Sequence, residues 1–184
     1  MKKYVDLKPG DWLIQDAGNS GVGLCLIRLA KAEGLHTVNV VRRAGLEDEL
    51  TTMGADVVVV DGPDLAEKVK AATGDARIRL AIDAVGGDQI IRLGNCLTDE
   101  AIILNYGLLS GDDPRLRADQ TVFKRLWLTG FWLAPWLEAM SRDGVHDLYG
   151  MLAGRIADGT LHVPVEATYA IEDIAKAVAH ANAY

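Results

Sequence analysis

The run Gly18-Asn19-Ser20-Gly21-Val22-Gly23 has the residue types and spacing to hold a phosphate. It stands between a short apolar run, Trp12 to Gln15, and a helical pattern that opens at Gly21. Gly18, Ser20 and Gly23 fit G-x-G-x-x-G with serine at the middle position. In such a turn a diphosphate sits over the first turn of a helix, where backbone N–H groups point outward without partners. Small residues let the ligand approach the backbone, and the last glycine lets the helix pack closely on the sheet. Ser20 adds a hydroxyl donor. Asn19 can adopt a left-handed backbone or donate to an oxygen. A tight turn with no ligand is the plainer reading, and the strand-turn-helix setting argues against it.

The tip of the second strand decides which dinucleotide would fit. NAD-specific sites of this kind carry an acid about 20 residues after the turn, to bind the ribose hydroxyls. Here Val41 is followed by Arg42 and Arg43, and the nearest acid, Glu47, belongs to the next helix. A guanidinium fork at this point can grip a 2′-phosphate. NADP(H) is therefore expected over NAD(H), the alternative being a solvated basic pair in a loop. The missing acid also argues against a methyltransferase. Two further strand ends, Asp83-Ala84-Val85-Gly86-Gly87 and Tyr106-Gly107-Leu108, belong on the same sheet edge. Asp83 either bonds a ribose or caps its turn. Tyr106 either lies along the cofactor or is an ordinary strand-end aromatic.

The elements that must position these residues alternate regularly. Strands are expected at Trp12 to Gln15, His36 to Val41, Asp56 to Val60, Ile78 to Asp83, Ala101 to Tyr106 and Leu126 to Leu133. Helices are expected at Gly21 to Glu33, Leu46 to Met53, Leu65 to Ala72 and about Gln89 to Cys96. Later helices are read at Trp136 to Arg142, Val145 to Asp158 and Glu172 to Ala183. Gly34 would cap the first helix. The four valines ending at Val60 read as a strand buried on both faces. Short strand signals lie between Thr160 and Ile171, broken by Pro164. This alternation implies parallel pairing with right-handed crossovers. The expected fold is an α/β, doubly wound parallel sheet (a Rossmann fold) over residues 1–159, with residues 160–184 as a separate C-terminal segment.

Composition narrows the function classes. The chain has 184 residues, 49% hydrophobic and 24% charged, as in an ordinary globular domain. Its 19 basic and 26 acidic residues leave a formal charge of −7, without the basic excess of a nucleic-acid binder. No apolar run is long enough for a membrane-spanning helix, and the first residues do not read as a secretory signal. A cytoplasmic or mitochondrial-matrix location is expected. Cys25 and Cys96 lie in helical patterns and read as buried free thiols. With His36, His146, His162 and His180 they show no metal-ligand spacing, so no metal is expected. Tyr106, Tyr149 and Tyr169 lack the lysine four residues on that short-chain dehydrogenases use, and Ser20 lacks a nucleophile elbow.

Several of these motifs together resemble the medium-chain dehydrogenase/reductase superfamily: Leu7-Lys8-Pro9-Gly10-Asp11, Asn19-Ser20-Gly21-Val22-Gly23 and Asn39-Val40-Val41-Arg42. Val85-Gly86-Gly87, Tyr106-Gly107 and Gly130-Phe131-Trp132-Leu133 followed by Trp136 are similar to the zinc-free trans-2-enoyl-CoA (enoyl-thioester) reductases. Quinone oxidoreductases share much of the pattern. The resemblance implies reduction of the 2,3-double bond of an enoyl thioester by NADPH, with hydride to the β-carbon and a proton to the α-carbon. It implies that Asn19, Ser20, Gly21 and Val22 hold the phosphates and that Arg42 and Arg43 meet the 2′-phosphate. It places Tyr106, Gly107, Leu108 and Leu109, and Phe131, Trp132 and Leu133, on the nicotinamide side. Leu108 stands where the family often has a second glycine, which would crowd that side.

The resemblance also marks what this sequence lacks. The family's N-terminal catalytic domain, with its proton-delivering tyrosine, does not precede the glycine turn, and Tyr4 is not placed to replace it. A terminal segment with a cofactor-facing lysine is also absent. Residues from about Thr160 return to the catalytic domain in the family. No catalytic residue is therefore assigned, and the chain is expected to bind NADP(H) with little turnover alone. The alternatives are an NADPH-dependent quinone or alkenal reductase fragment and a non-catalytic NADP(H)-binding module. The apolar stretch from Thr121 to Leu133 suggests an edge strand that pairs two copies in a homodimer, unless the Trp136 helix covers it.

Overall fold

The computed structural model describes residues 4–183. Six strands form one all-parallel sheet: β1 (Trp12–Gln15), β2 (His36–Val41), β3 (Val57–Val60), β4 (Ile78–Asp83), β5 (Ile102–Asn105) and β6 (Trp127–Gly130). Their spatial order is β3-β2-β1-β4-β5-β6, so the winding reverses between β1 and β4. In open sheets of this kind ligands bind outside the carboxyl ends of the strands at that reversal. The pairing puts Gln15 beside Asn39, Val41 beside Val60 and Asp83 beside Asn105.

Period-two alternation sends side chains to both faces. Leu13, Leu80, Ile82 and Leu104 pack with Leu26 and Ala30 of α1 (Gly21–Ala32). Val41 joins Ile27 of α1 and Leu50 of α2 (Glu47–Thr52). Ile14, Val38, Val40, Ala81 and Ile103 face the other way, against Leu65 and Val69 of α3 (Leu65–Thr73) and Ile90 and Leu93 of α4 (Asp88–Cys96). Gly34 takes φ +71° just past α1, in the left-handed conformation expected of a helix stop.

Several details differ from the sequence reading. The valine strand β3 is half-buried, because it is an edge strand with only β2 beside it. The last strand stops at Gly130, and Leu133 already starts α6 (Leu133–Glu138). A one-turn helix, α5 (Ala118–Val122), precedes β6 where no helix was expected. Gln120 anchors it: its Oε1 accepts from the Arg117 backbone and its Nε2 donates to Ile91 and Asn95. α7 spans Arg142–Ala157. Residues 162–170 form no strand and are exposed; a 3-10 turn at Ile171–Asp173 then leads into α8 (Ile174–Ala181). Beyond Leu126 no described residue is buried. The two cysteines are free and half-buried rather than fully buried.

Candidate functional site

The glycine turn follows β1 and forms the N-terminus of α1. Ser20 is the helix cap, its Oγ accepting from the Gly23 N–H at 3.1 Å. Gly21 and Val22 therefore present the first-turn N–H groups outward, and the first turn carries no acid. Gly23 has no room for a side chain: a Cβ would stand 2.6 Å from the Gly18 carbonyl oxygen and 2.7 Å from that of Ala17. The left-handed residue of the turn is Ala17, at φ 45°, and not Asn19.

A buried polar chain fixes the floor beneath the turn. Gln15 Nε2 donates to the Gly23 carbonyl at 3.0 Å and to Asn39 Oδ1 at 2.7 Å. Asn39 Nδ2 in turn donates to Thr37 Oγ1 and to the Val57 carbonyl. This chain ties α1 to β1, β2 and β3. Fully satisfied networks of this kind rigidify a site.

Next to the floor lie two buried carboxyl groups. Asp16 is 3% exposed and its Oδ1 accepts from the Ala84 N–H at 2.8 Å. Burial, with Asp83 beside it, pushes its pKa up to about 9. Asp83 is fully buried and accepts from the Gly86 N–H and from Asn105 Nδ2. Asp83 thus caps its turn, one of the two roles open to it from sequence. A neutral Asp16 adds no negative charge beneath the helix N-terminus.

An approximately 450 Å³ cavity opens at this edge. Of the expected residues it brings together Asn19, Ser20, Arg42, Arg43 and Leu109. Arg42 and Arg43 are exposed, and among the described residues neither guanidinium makes an ion pair or hydrogen bond. Tyr106 lies next to the turn; burial raises its phenol pKa, Asp16 adds to the rise, and Ser20 opposes it. Gly107 is needed where it stands, since a Cβ would meet the Ala84 carbonyl oxygen at 2.6 Å.

The remaining expected residues are more dispersed. Gly21 and Val22 sit exposed at the α1 N-terminus, outside the cavity lining. Gly107 and Leu108 border it at the β5 turn, with Leu108 half-exposed over Gly86. Phe131 packs on the α1 face of the sheet and edge-on to Trp136. Trp132 and Leu133 are 76% and 53% exposed and do not reach the cavity. The cavity also has members that sequence reasoning missed, among them Asp16, Asp61, Gln89 and Arg92. Arg92 is bound bidentately by Asp61, at 2.8 and 2.7 Å, which raises its pKa. The available signal was a polar residue within or just past an apolar strand, as at Gln15, Asp16, Asn39 and Asp61. Among the described residues no three His, Cys, Asp or Glu side chains gather to hold a metal ion.

Comparison with known proteins extends the picture. Residues 21–148 match the sequence profile described as zinc-binding dehydrogenase. The mitochondrial enoyl-[acyl-carrier-protein] reductase of Rattus norvegicus is 33% identical over 180 residues, covering 95% of this chain and 48% of that protein. The chain thus spans about half the length of the curated relatives it matches. A mutant form of enoyl thioester reductase from Candida tropicalis shares the fold, with a TM-score of 0.84 and 22% identity over 99% of this chain and 55% of that one. The Escherichia coli quinone oxidoreductase complexed with NADPH superposes with a TM-score of 0.77 and 27% identity, over 87% and 49% of the two chains.

Proposed function

The chain belongs to the zinc-binding dehydrogenase family, and on that premise we propose that it is the NADP(H)-binding half of a reductase acting on enoyl thioesters. One observation carries this reading. Two guanidinium groups without partners among the described residues, Arg42 and Arg43, share a cavity with the glycine turn at the reversal of the sheet. The unpartnered N–H groups of Gly21 and Val22 suit the diphosphate, and the arginine fork suits the 2′-phosphate. NADPH, once bound, supplies the hydride. Tyr106, Gly107, Leu108 and Leu109 border the nicotinamide side, with Phe131, Trp132 and Leu133 further along the same edge.

The relatives' names support an enoyl thioester as substrate. A quinone is the second reading, supported by the bacterial neighbour. Hydride transfer needs an acceptor held in near-attack geometry. Leu109 and Trp132 are 72% and 76% exposed, so this chain offers that acceptor no enclosed wall, and it is expected to turn over little by itself. The family's description implies zinc, and the described residues do not fit one. Cys25 and Cys96 stand on helices on opposite faces of the sheet, and no other donors converge. The exposed edge of β6, with Trp127 at 68%, supports pairing of two copies. The rat relative's name supports the mitochondrial option beside the cytoplasmic one.

The test is titration with NADPH and NADH, repeated on Arg42→Ala. Losing a charged hydrogen bond to phosphate should weaken NADPH binding by about 1.5–3 kcal/mol and leave NADH nearly untouched. Equal affinity of the unaltered chain for both nucleotides would overturn the reading. Crotonyl-CoA against a quinone, each with NADPH and the full-length protein, separates the two substrates.

A further inference from the structure

Asp16 stands between β1 and the glycine turn. Its backbone N–H donates to the Ile82 carbonyl and its Oδ1 accepts from the Ala84 N–H, so it ties the start of the turn to the end of β4. Its carboxyl group lies beside that of Asp83. The donors around the two groups decide which of them carries a proton. Asp83 accepts from the Gly86 N–H on both oxygens and from Asn105 Nδ2 on one. Asp16 accepts a single N–H, and its Oδ2 is buried with no hydrogen-bond partner among the described residues. A carboxylate only accepts, so an ionised Asp16 would leave that oxygen without a donor and out of reach of solvent. A proton on Oδ2 removes the deficit and makes Asp16 a donor beside the acceptor Asp83. The proton of the pair therefore rests on Asp16.

The other charged groups near the pair do not take over from that proton. Asp61, just past β3, adds negative charge, and Arg92 of α4 is committed to it. Tyr106, just past β5, is a phenol whose proton is held on by burial. Arg42 and Arg43 line the same cavity from the tip of β2, and Asp16 pairs with neither among the described residues. The first turn of α1 brings no acid. Loss of the Asp16 proton would thus add an uncompensated negative charge beneath the helix N-terminus, where an anion is to sit. We propose that the Asp16–Asp83 pair is a proton switch on nucleotide binding: with its proton on, the turn accepts a diphosphate, and with the proton off, it repels one. This rests on the dinucleotide reading and adds a regulation to it. The switch acts on the diphosphate, which NADPH and NADH share, whereas Arg42 reads the 2′-phosphate that only NADPH carries.

Burial beside Asp83 pushes the Asp16 pKa up to about 9, which sets where the switch turns. By reciprocity, a bound anion holds the proton more tightly, and binding weakens as the proton is lost. The affinities of NADPH and NADH are measured by fluorescence titration at about pH 7, 8, 9 and 10 for the unaltered chain and for Asp16→Asn, with thermal unfolding at each pH to confirm the fold. A rise of about one pKa unit on binding makes both affinities of the unaltered chain fall alike, by about three- to fivefold between pH 8 and 10. Asp16→Asn keeps an oxygen for the Ala84 N–H and cannot ionise, so its fall should be clearly shallower. Calorimetry at pH 9 in two buffers of different ionisation enthalpy counts the protons: the unaltered chain should take up about 0.4 of a proton per nucleotide bound, and Asp16→Asn none. A merely structural role for Asp16 changes affinity without moving a proton. If the chain binds nucleotide but takes up no proton at pH 9, the switch is refuted whether or not the variant folds. It is refuted too if Asp16→Asn shows the same fall and the same uptake; in both cases the dinucleotide reading stands. If the unaltered chain binds neither nucleotide at pH 7, the dinucleotide reading itself fails.

Discussion

Replacing Asp16 by asparagine should stabilise the fold, and by more as the pH rises. Asp16 is 3% exposed, beside the fully buried Asp83, and its pKa is raised from 3.8 to about 9. At pH 7 the folded chain therefore keeps this proton, while the unfolded chain has lost it. Stability falls with rising pH wherever the native state binds more protons than the unfolded one. The penalty is absent below the unfolded value of 3.8, grows through neutral pH, and levels off near 9. At pH 7 it reaches about 4 kcal/mol, from 1.36 kcal/mol for each pH unit above 3.8. That figure is a ceiling, since burial beside a second carboxyl group couples Asp16 to its neighbour. Asp16→Asn removes the titration, keeps an oxygen for the Ala84 N–H and places an amide donor where it can face Asp83. Urea unfolding of both proteins at about pH 4.5, 6 and 8 reads the difference directly. The stability gain should be small at the lowest pH and on the order of 2–4 kcal/mol at the highest. A gain that does not change with pH, or a loss at pH 8, would show that Asp16 is not held protonated.

Three further outcomes are expected. Gly23→Ala forces a methyl group to within 2.6 Å of the Gly18 carbonyl oxygen. It should cost about 1–3 kcal/mol and weaken NADPH binding, read by thermal unfolding and titration; an unchanged melting temperature would contradict the close packing of α1 on the turn. Burial pushes the Cys96 thiol up to about 12, so at pH 8 only about one molecule in ten thousand is thiolate. Iodoacetamide should label Cys96 far more slowly in the native chain than in urea, and mass spectrometry of the peptides would show it. If two copies pair along β6, Trp127→Lys should shift the protein from dimer to monomer in light scattering; a monomer before the substitution would exclude the pairing.

Much of the site's frame is legible in the linear chain, because it is local. The alternation of β-branched runs with amphipathic helices dictates a parallel sheet. The first reversal of strand order then puts the Gly18–Gly23 turn and Arg42 on one edge, whatever the side chains do in detail. Gly23 and Gly34 sit where their missing side chains are needed. The stretch after Leu126 reads less well. Its residues are apolar enough to resemble strand or core, yet none described there is buried, so periodicity had no packed face to report. The four valines ending at Val60 mislead for a related reason: four β-branched residues suit a central strand and an edge strand alike.

The amino-acid sequence alone determined the sheet, the glycine turn and the arginine pair, since each is written in neighbouring residues and depends on short-range sterics and charge. Only the tertiary structure decided the rest of the cavity. Asp16 meets Asp83 from 67 positions away in the chain, and Asp61 locks Arg92 and through it Gln89. Their state depends on desolvation and on a partner's exact place across the sheet. Those quantities exist only once the strands have paired and water has left.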